Sequence, residues 1–111
     1  MLALKQALSL VSTKKTGTVT PWSPSDESDL IAWYQNKVGV GLTGLEVTDW
    51  ADSSTNGHDM EQATSSERPI YNAATGSLTF DSSNLSNLQT LTQISLSGEF
   101  TIGFKMNATG T

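Results

Sequence analysis

Val47-Thr48-Asp49-Trp50-Ala51-Asp52-Ser53-Ser54-Thr55-Asn56-Gly57-His58 carries the strongest fold signal in the chain. Its first four residues alternate apolar with polar, the period of a half-buried β-strand. Asn56-Gly57 then supplies a pair that favours a tight turn with positive φ, expected to join the Trp50 strand to another around Met60. Upstream, Leu30 to Tyr34 is a compact apolar run suited to a buried strand. Val38 to Leu45, interrupted by three glycines, reads as a loop or a short bulged edge. Downstream, Pro69-Ile70-Tyr71 and Ser77-Leu78-Thr79-Phe80-Asp81 read as two short strands around a turn at Ala74 to Gly76. Asn84 to Leu96 has leucines at mixed spacing and reads as a loop with a helical turn. Phe100, Ile102, Phe104 and Met106 alternate with Thr101, Gly103 and Lys105 in the clearest strand pattern of all. Strand follows strand without room for crossover helices, so the pairing is expected to be antiparallel. The expected core is Leu30, Ile31, Trp33, Val47, Trp50, Ile70, Phe80, Phe100, Ile102 and Phe104.

Composition agrees with a β reading. The 111 residues allow one domain, and 36% hydrophobic with 15% charged residues is polar for a globular chain, where roughly 45–50% and about 25% are usual. Fifteen Ser and fifteen Thr make up the difference, as in β structure with many polar turns. No internal repeat is evident, which disfavours solenoids and propellers. The net charge of -5 is unevenly spread: residues 1–15 carry +3, and residues 16–111 set three basic against eleven acidic groups. An acidic body does not suit phosphate backbones, so no nucleic-acid partner is expected. No apolar run approaches the roughly 20 residues of a bilayer span, so no membrane partner is expected either. The absence of Cys excludes disulfides, thiolate chemistry and thiol-rich zinc sites.

Three regions follow. Residues 1–15 form an amphipathic docking segment, with Leu4, Leu8 and Val11 on one helical stripe and Lys14 and Lys15 in or just past the last turn, where cations complement the helix dipole. Lys5 and Gln6 interrupt the apolar stretch a secretory signal would need. An isolated helix of this length is marginal in water and needs a surface over its stripe. Residues 16–28 form a Pro-containing linker. Trp22, between Pro21 and Pro24, reads either as a plug over the domain's own core or as a secondary contact on a partner. Ser25, Asp26 and Glu27 suggest a single helical turn. Residues 29–111 form the β domain.

The order Leu30 to Tyr34, Val47 to Asp52, Ser53 to His58, Arg68-Pro69-Ile70-Tyr71 and Leu78-Thr79-Phe80-Asp81 resembles the N-terminal half of a concanavalin A-like, laminin-G-like jelly roll. The matching motifs are W-x-D-x-S-G-N-G, R-P-x-Y and x-F-D-G, filled by Trp50, Asp52, Ser53, Asn56, Gly57, Arg68, Pro69, Tyr71, Phe80 and Asp81. Ser82 stands where the family usually has Gly. The resemblance implies a mainly β fold, a partial antiparallel β-sandwich over residues 29–111 preceded by the N-terminal helix. Such domains are usually far longer, so the sheets are expected either to continue in a longer protein or to be completed by another chain. Met1 to Lys15 with the linker and Leu30 to Lys37 also resembles the start of structural proteins from large tailed phages of marine cyanobacteria.

The residues hold little chemistry. His58, the one histidine, is expected to be an exposed turn residue, since neither a zinc site nor a triad can be built on it alone. Asp49, Asp52, Asp59 and Asp81 could coordinate calcium as in some lectin-like domains, but acids beside turns are normally caps. Asp59-Met60-Glu61 is the nearest thing to a glycosidase carboxylate pair, and the Glu-rich strand of concanavalin A-like glucanases is missing. Trp33, Tyr34 and Trp50 read mainly as core aromatics, with Trp50 the candidate for stacking on a sugar. Asn107-Ala108-Thr109 matches a glycosylation acceptor. The expectation is a non-enzymatic virion structural protein without cofactor or metal. It would dock on other virion proteins through Leu4, Leu8, Val11, Lys14, Lys15 and Trp22, in a homo-oligomeric or multi-copy assembly at a tail, neck, baseplate or fibre attachment, or as capsid decoration. The alternative is a lectin-like module binding a surface glycan.

Overall fold

A computed structural model describes residues 20–106. The expected N-terminal helix, with Leu4, Leu8, Val11, Lys14 and Lys15, lies outside the described residues, as does Asn107-Ala108-Thr109. What is described is mainly β: six short strands in one antiparallel sheet, with three single 3₁₀ turns and no long helix.

The sheet grows around β2 (Glu46–Trp50), the strand expected from the Val47 to Trp50 alternation. On one side it pairs with β1 (Val40–Thr43), a short edge within the glycine-bearing stretch, although the extra residue of the bulge is Thr48 of β2 and not a glycine. The register slips between Gly41 and Leu42, so that Gly41 faces Asp49 and Leu42 faces Val47. On the other side the two ends of β2 take different partners. Asp49 and Trp50 pair with Glu61 and Met60 of β3 (Met60–Glu61), and Glu46 pairs with Ile70 of β4 (Ile70–Tyr71). β4 continues into β5 (Leu78–Thr79) through the turn expected at Ala74 to Gly76. β3 is flanked by β6 (Gln89–Thr90), which lies in a stretch expected to be a loop.

The turn between β4 and β5 needs its glycine. Gly76 is buried at φ +74°, and a Cβ there would lie 1.9 Å from Asn36 Oδ1 and 2.5 Å from Lys37 Cγ. Asn36 and Lys37 donate to the carbonyls of Thr75 and Ala74, locking the 36–37 corner onto this turn.

The core is small. Val47 is the one fully buried apolar side chain of the described sheet besides Pro69, and Gln62, at 7% exposure, is buried by its own hydrogen bonds to Glu67 and Asn87. Three expectations need correction here. Leu30 to Tyr34 is half-buried but forms no strand, because its backbone is tied to a neighbouring loop by the Asp52 and Asn56 side chains and by a single backbone bond, from the Ser53 N–H to the Trp33 carbonyl. Phe100 to Met106 forms no strand either: among the described residues no other strand lies beside it, and Phe104 is 76% exposed. Ile70 and Phe80 are likewise exposed, because among the described residues no second layer packs on the sheet.

Candidate functional site

The loop from Ala51 to Asp59, which links β2 to β3, is organised by one carboxylate. Asp52 accepts from the backbone N–H groups of Trp33 (2.8 Å), Ser54 (2.8 Å) and His58 (3.0 Å) and from the Ser54 hydroxyl (2.6 Å). The Asp52 N–H donates in turn to Asp59 Oδ1 at 2.8 Å. Burial alone would raise the Asp52 pKa, but the bonds from Ser54, Trp33 and His58 outweigh it and hold the carboxyl at about 2. Asn56 completes the clamp by donating both amide hydrogens, to the carbonyls of Leu30 (2.7 Å) and Ile31 (2.9 Å). Only Gly57 of the Asn-Gly pair takes positive φ, at +70°, so the connection is a longer side-chain-bonded loop and not the tight two-residue turn expected.

His58 departs from its expected exposure. It is half-buried, its ring Nδ1 lies 3.0 Å from Thr92 Oγ1, and its carbonyl accepts from the Tyr34 hydroxyl. Burial, then the charges of Asp52 and Asp59, raise the Tyr34 pKa, so this phenol remains a donor at neutral pH. The Tyr34 ring packs on Trp50 with centroids 5.7 Å apart at 54°. The Trp50 indole N–H is shared between the carbonyls of Gln35 and Val38, each at 3.1 Å. Trp50 is thus bound into its own chain. Trp22 is not over the core: it is 67% exposed, with its indole N–H on Glu27 Oε1 at 2.8 Å.

Beside the loop, an open cleft of about 390 Å³ lies among Thr48, Asp49, Asp59, Met60, Glu61 and Arg68. Asp49 and Glu61 face each other in register, a like-charge cross-strand pair that costs stability where it stands. Arg68 does not relieve it. Its guanidinium bonds the carbonyls of Gln62 and Ala63 at 2.9 Å each and Glu46 at 3.4 Å, pinning the chain after β3 to β2. In the sequence Arg68 has only a place in the Arg-Pro-x-Tyr step, and its partners lie on a strand more than twenty residues away and in the turn before it, which no local pattern reveals.

Among the described residues no cluster of three or more His, Asp or Glu could hold a metal ion. Asp81 caps the 3₁₀ turn at Ser82–Asn84 by accepting from Ser83, and those bonds lower its pKa. Asp52, Asp59 and Asp81 therefore serve as acceptors for backbone or side-chain donors. Comparison with protein families, with curated proteins and with solved structures finds no match.

Proposed function

We propose that this protein is a non-enzymatic structural subunit of a tailed-phage virion, and that its sheet is one layer of a concanavalin A-like jelly roll completed by neighbouring subunits. The observation that carries this reading is the shortage of cover among the described residues. Leu45, Phe80, Leu85, Ile102 and Phe104 are all more than half exposed, around a sheet with one fully buried valine. Exposed apolar surface on that scale marks an interface with another chain more often than it marks a free surface. Two further features support it. Of the acids that a lectin-like calcium site or a glycosidase would use, Asp52, Asp59 and Asp81 are engaged as loop and turn acceptors. Trp50, the residue a glycan would stack on, already packs on Tyr34.

On this reading residues 1–15 grip a neighbour through Leu4, Leu8 and Val11, with Lys14 and Lys15 meeting its acids and Trp22 adding a contact at the surface. The virion assignment rests on the resemblance of residues 1–37 to phage structural proteins. Deleting residues 1–15 and measuring incorporation into assembled particles tests it, with a glycan array as the competing assay. Loss of incorporation with no glycan signal supports the subunit. Full incorporation of the truncated chain removes the anchor, and a glycan signal abolished by Trp50→Ala would replace this reading by the lectin one.

A further inference from the structure

The sheet has an open edge, and the same chain holds a segment with the alternation of a strand but no place in the sheet. β1 pairs only with β2, so among the described residues the outer edge of Val40–Thr43 has no backbone partner. At four residues it is the longest such edge, since β5 and β6 have two residues each. Residues 100–106 carry the alternation of an amphipathic strand, yet make no hydrogen bond among the described residues, and Phe100, Ile102, Phe104 and Met106 are all more than half exposed.

The charges give this edge a specific character. Gly41 of β1 faces Asp49, and the Asp49 carboxylate leans over it so closely that a Cβ on Gly41 would lie 2.0 Å from Oδ1. The missing side chain lets this carboxylate overhang β1 toward the open edge. Glu61 stands next in the same row. The described residues hold three basic side chains, and two are engaged: Lys37 on the Ala74 carbonyl and Arg68 on Glu46. Lys105 has no partner among them, and it lies on the polar side of the 100–106 alternation.

We infer that residues 100–106 of one copy add as a strand to the β1 edge of a second copy, with Lys105 meeting the overhanging Asp49 carboxylate. This deepens the subunit reading and rests on it for its setting in an assembly. Strand addition satisfies the row of unpaired backbone groups that an edge exposes. It places a cation on the unneutralised Asp49–Glu61 pair, where cross-strand opposite charges attract. A second copy is the occupant because one sequence supplies both halves, the acceptor edge and the donor strand, so that identical chains can satisfy each other.

The test uses the full chain with Lys105→Glu and Asp49→Lys, both at surface positions. Light scattering across a concentration series is expected to show self-association of the unaltered chain. Each variant alone should associate at least about tenfold more weakly, and an equimolar mixture of the two should recover association, because each copy then meets an opposite charge in its partner. Such recovery requires pairing between chains. A monomeric unaltered chain, or association indifferent to both substitutions, overturns the inference while particle incorporation can still stand. A chain that self-associates as described but is never found on particles removes the virion reading and leaves the strand exchange intact.

Discussion

Replacing Asp52 with alanine removes the acceptor for three backbone N–H groups and one hydroxyl at once. The hydroxyl can turn to the Ile31 carbonyl, 3.3 Å away, so the loss falls on the N–H groups of Trp33, Ser54 and His58. Hydrogen bonds to a charged acceptor contribute about 1.5–3 kcal/mol each. Water reaches this half-buried site and replaces part of that, so the three together should cost about 3–5 kcal/mol. Against a total of about 5–15 kcal/mol for a domain, with this small core at the low end, the variant should be largely unfolded near 37 °C. Asp52→Asn keeps one acceptor oxygen but sets an amide donor against an N–H, and should fall between the two. Urea titration followed by Trp fluorescence reads the loss, since Trp33 is bonded to the clamp and Trp50 lies two residues before Asp52. A loss below about 1 kcal/mol for Asp52→Ala would refute the clamp.

Further predictions follow from the same contacts. The depressed Asp52 pKa means stability is fully present above the ordinary carboxylate value of 3.8 and is lost as pH falls toward 2; solvent screening limits the effect to about 1–2 kcal/mol, and Asp52→Asn should flatten an acid titration of stability. Gly76→Ala meets both a left-handed backbone and the Asn36 side chain and should lower the melting midpoint more than Gly44→Ala, whose φ of +64° opens onto empty space and costs about 1 kcal/mol. Val47→Ala should cost roughly 2 kcal/mol in chemical denaturation, whereas Phe104→Ser, at an exposed position, should leave the dilute chain's stability within about 0.5 kcal/mol.

Much of the sheet was legible because its signals are local. The alternation at Val47 to Trp50, the glycines of β1 and the turn between β4 and β5 each declare themselves within a few residues. The apolar run Leu30 to Tyr34 looked like a strand because periodicity reports burial and not hydrogen-bond partners. Its partners are the Asp52 carboxylate, the Asn56 amide and one backbone N–H, that of Ser53, the Asn56 amide lying more than twenty residues from Leu30 and Ile31. Phe100 to Met106 has the pattern of a strand, but among the described residues no strand lies beside it, and alternation alone does not supply the backbone partner a strand needs. The candidate acids were legible as residues. Their engagement as acceptors depends on which backbone N–H groups the fold brings to them, as Trp33 shows at Asp52.

The central claim, that neighbouring chains complete an open sheet, is tested most directly by amide hydrogen exchange at residues 40–43 and 100–106, compared between the chain at high dilution and in its assembled state. Rapid exchange is expected at the outer amides of β1 and throughout 100–106 in dilute solution, with strong protection of both segments together on assembly. Assembly that leaves both segments exchanging as fast as in the dilute chain would contradict that claim.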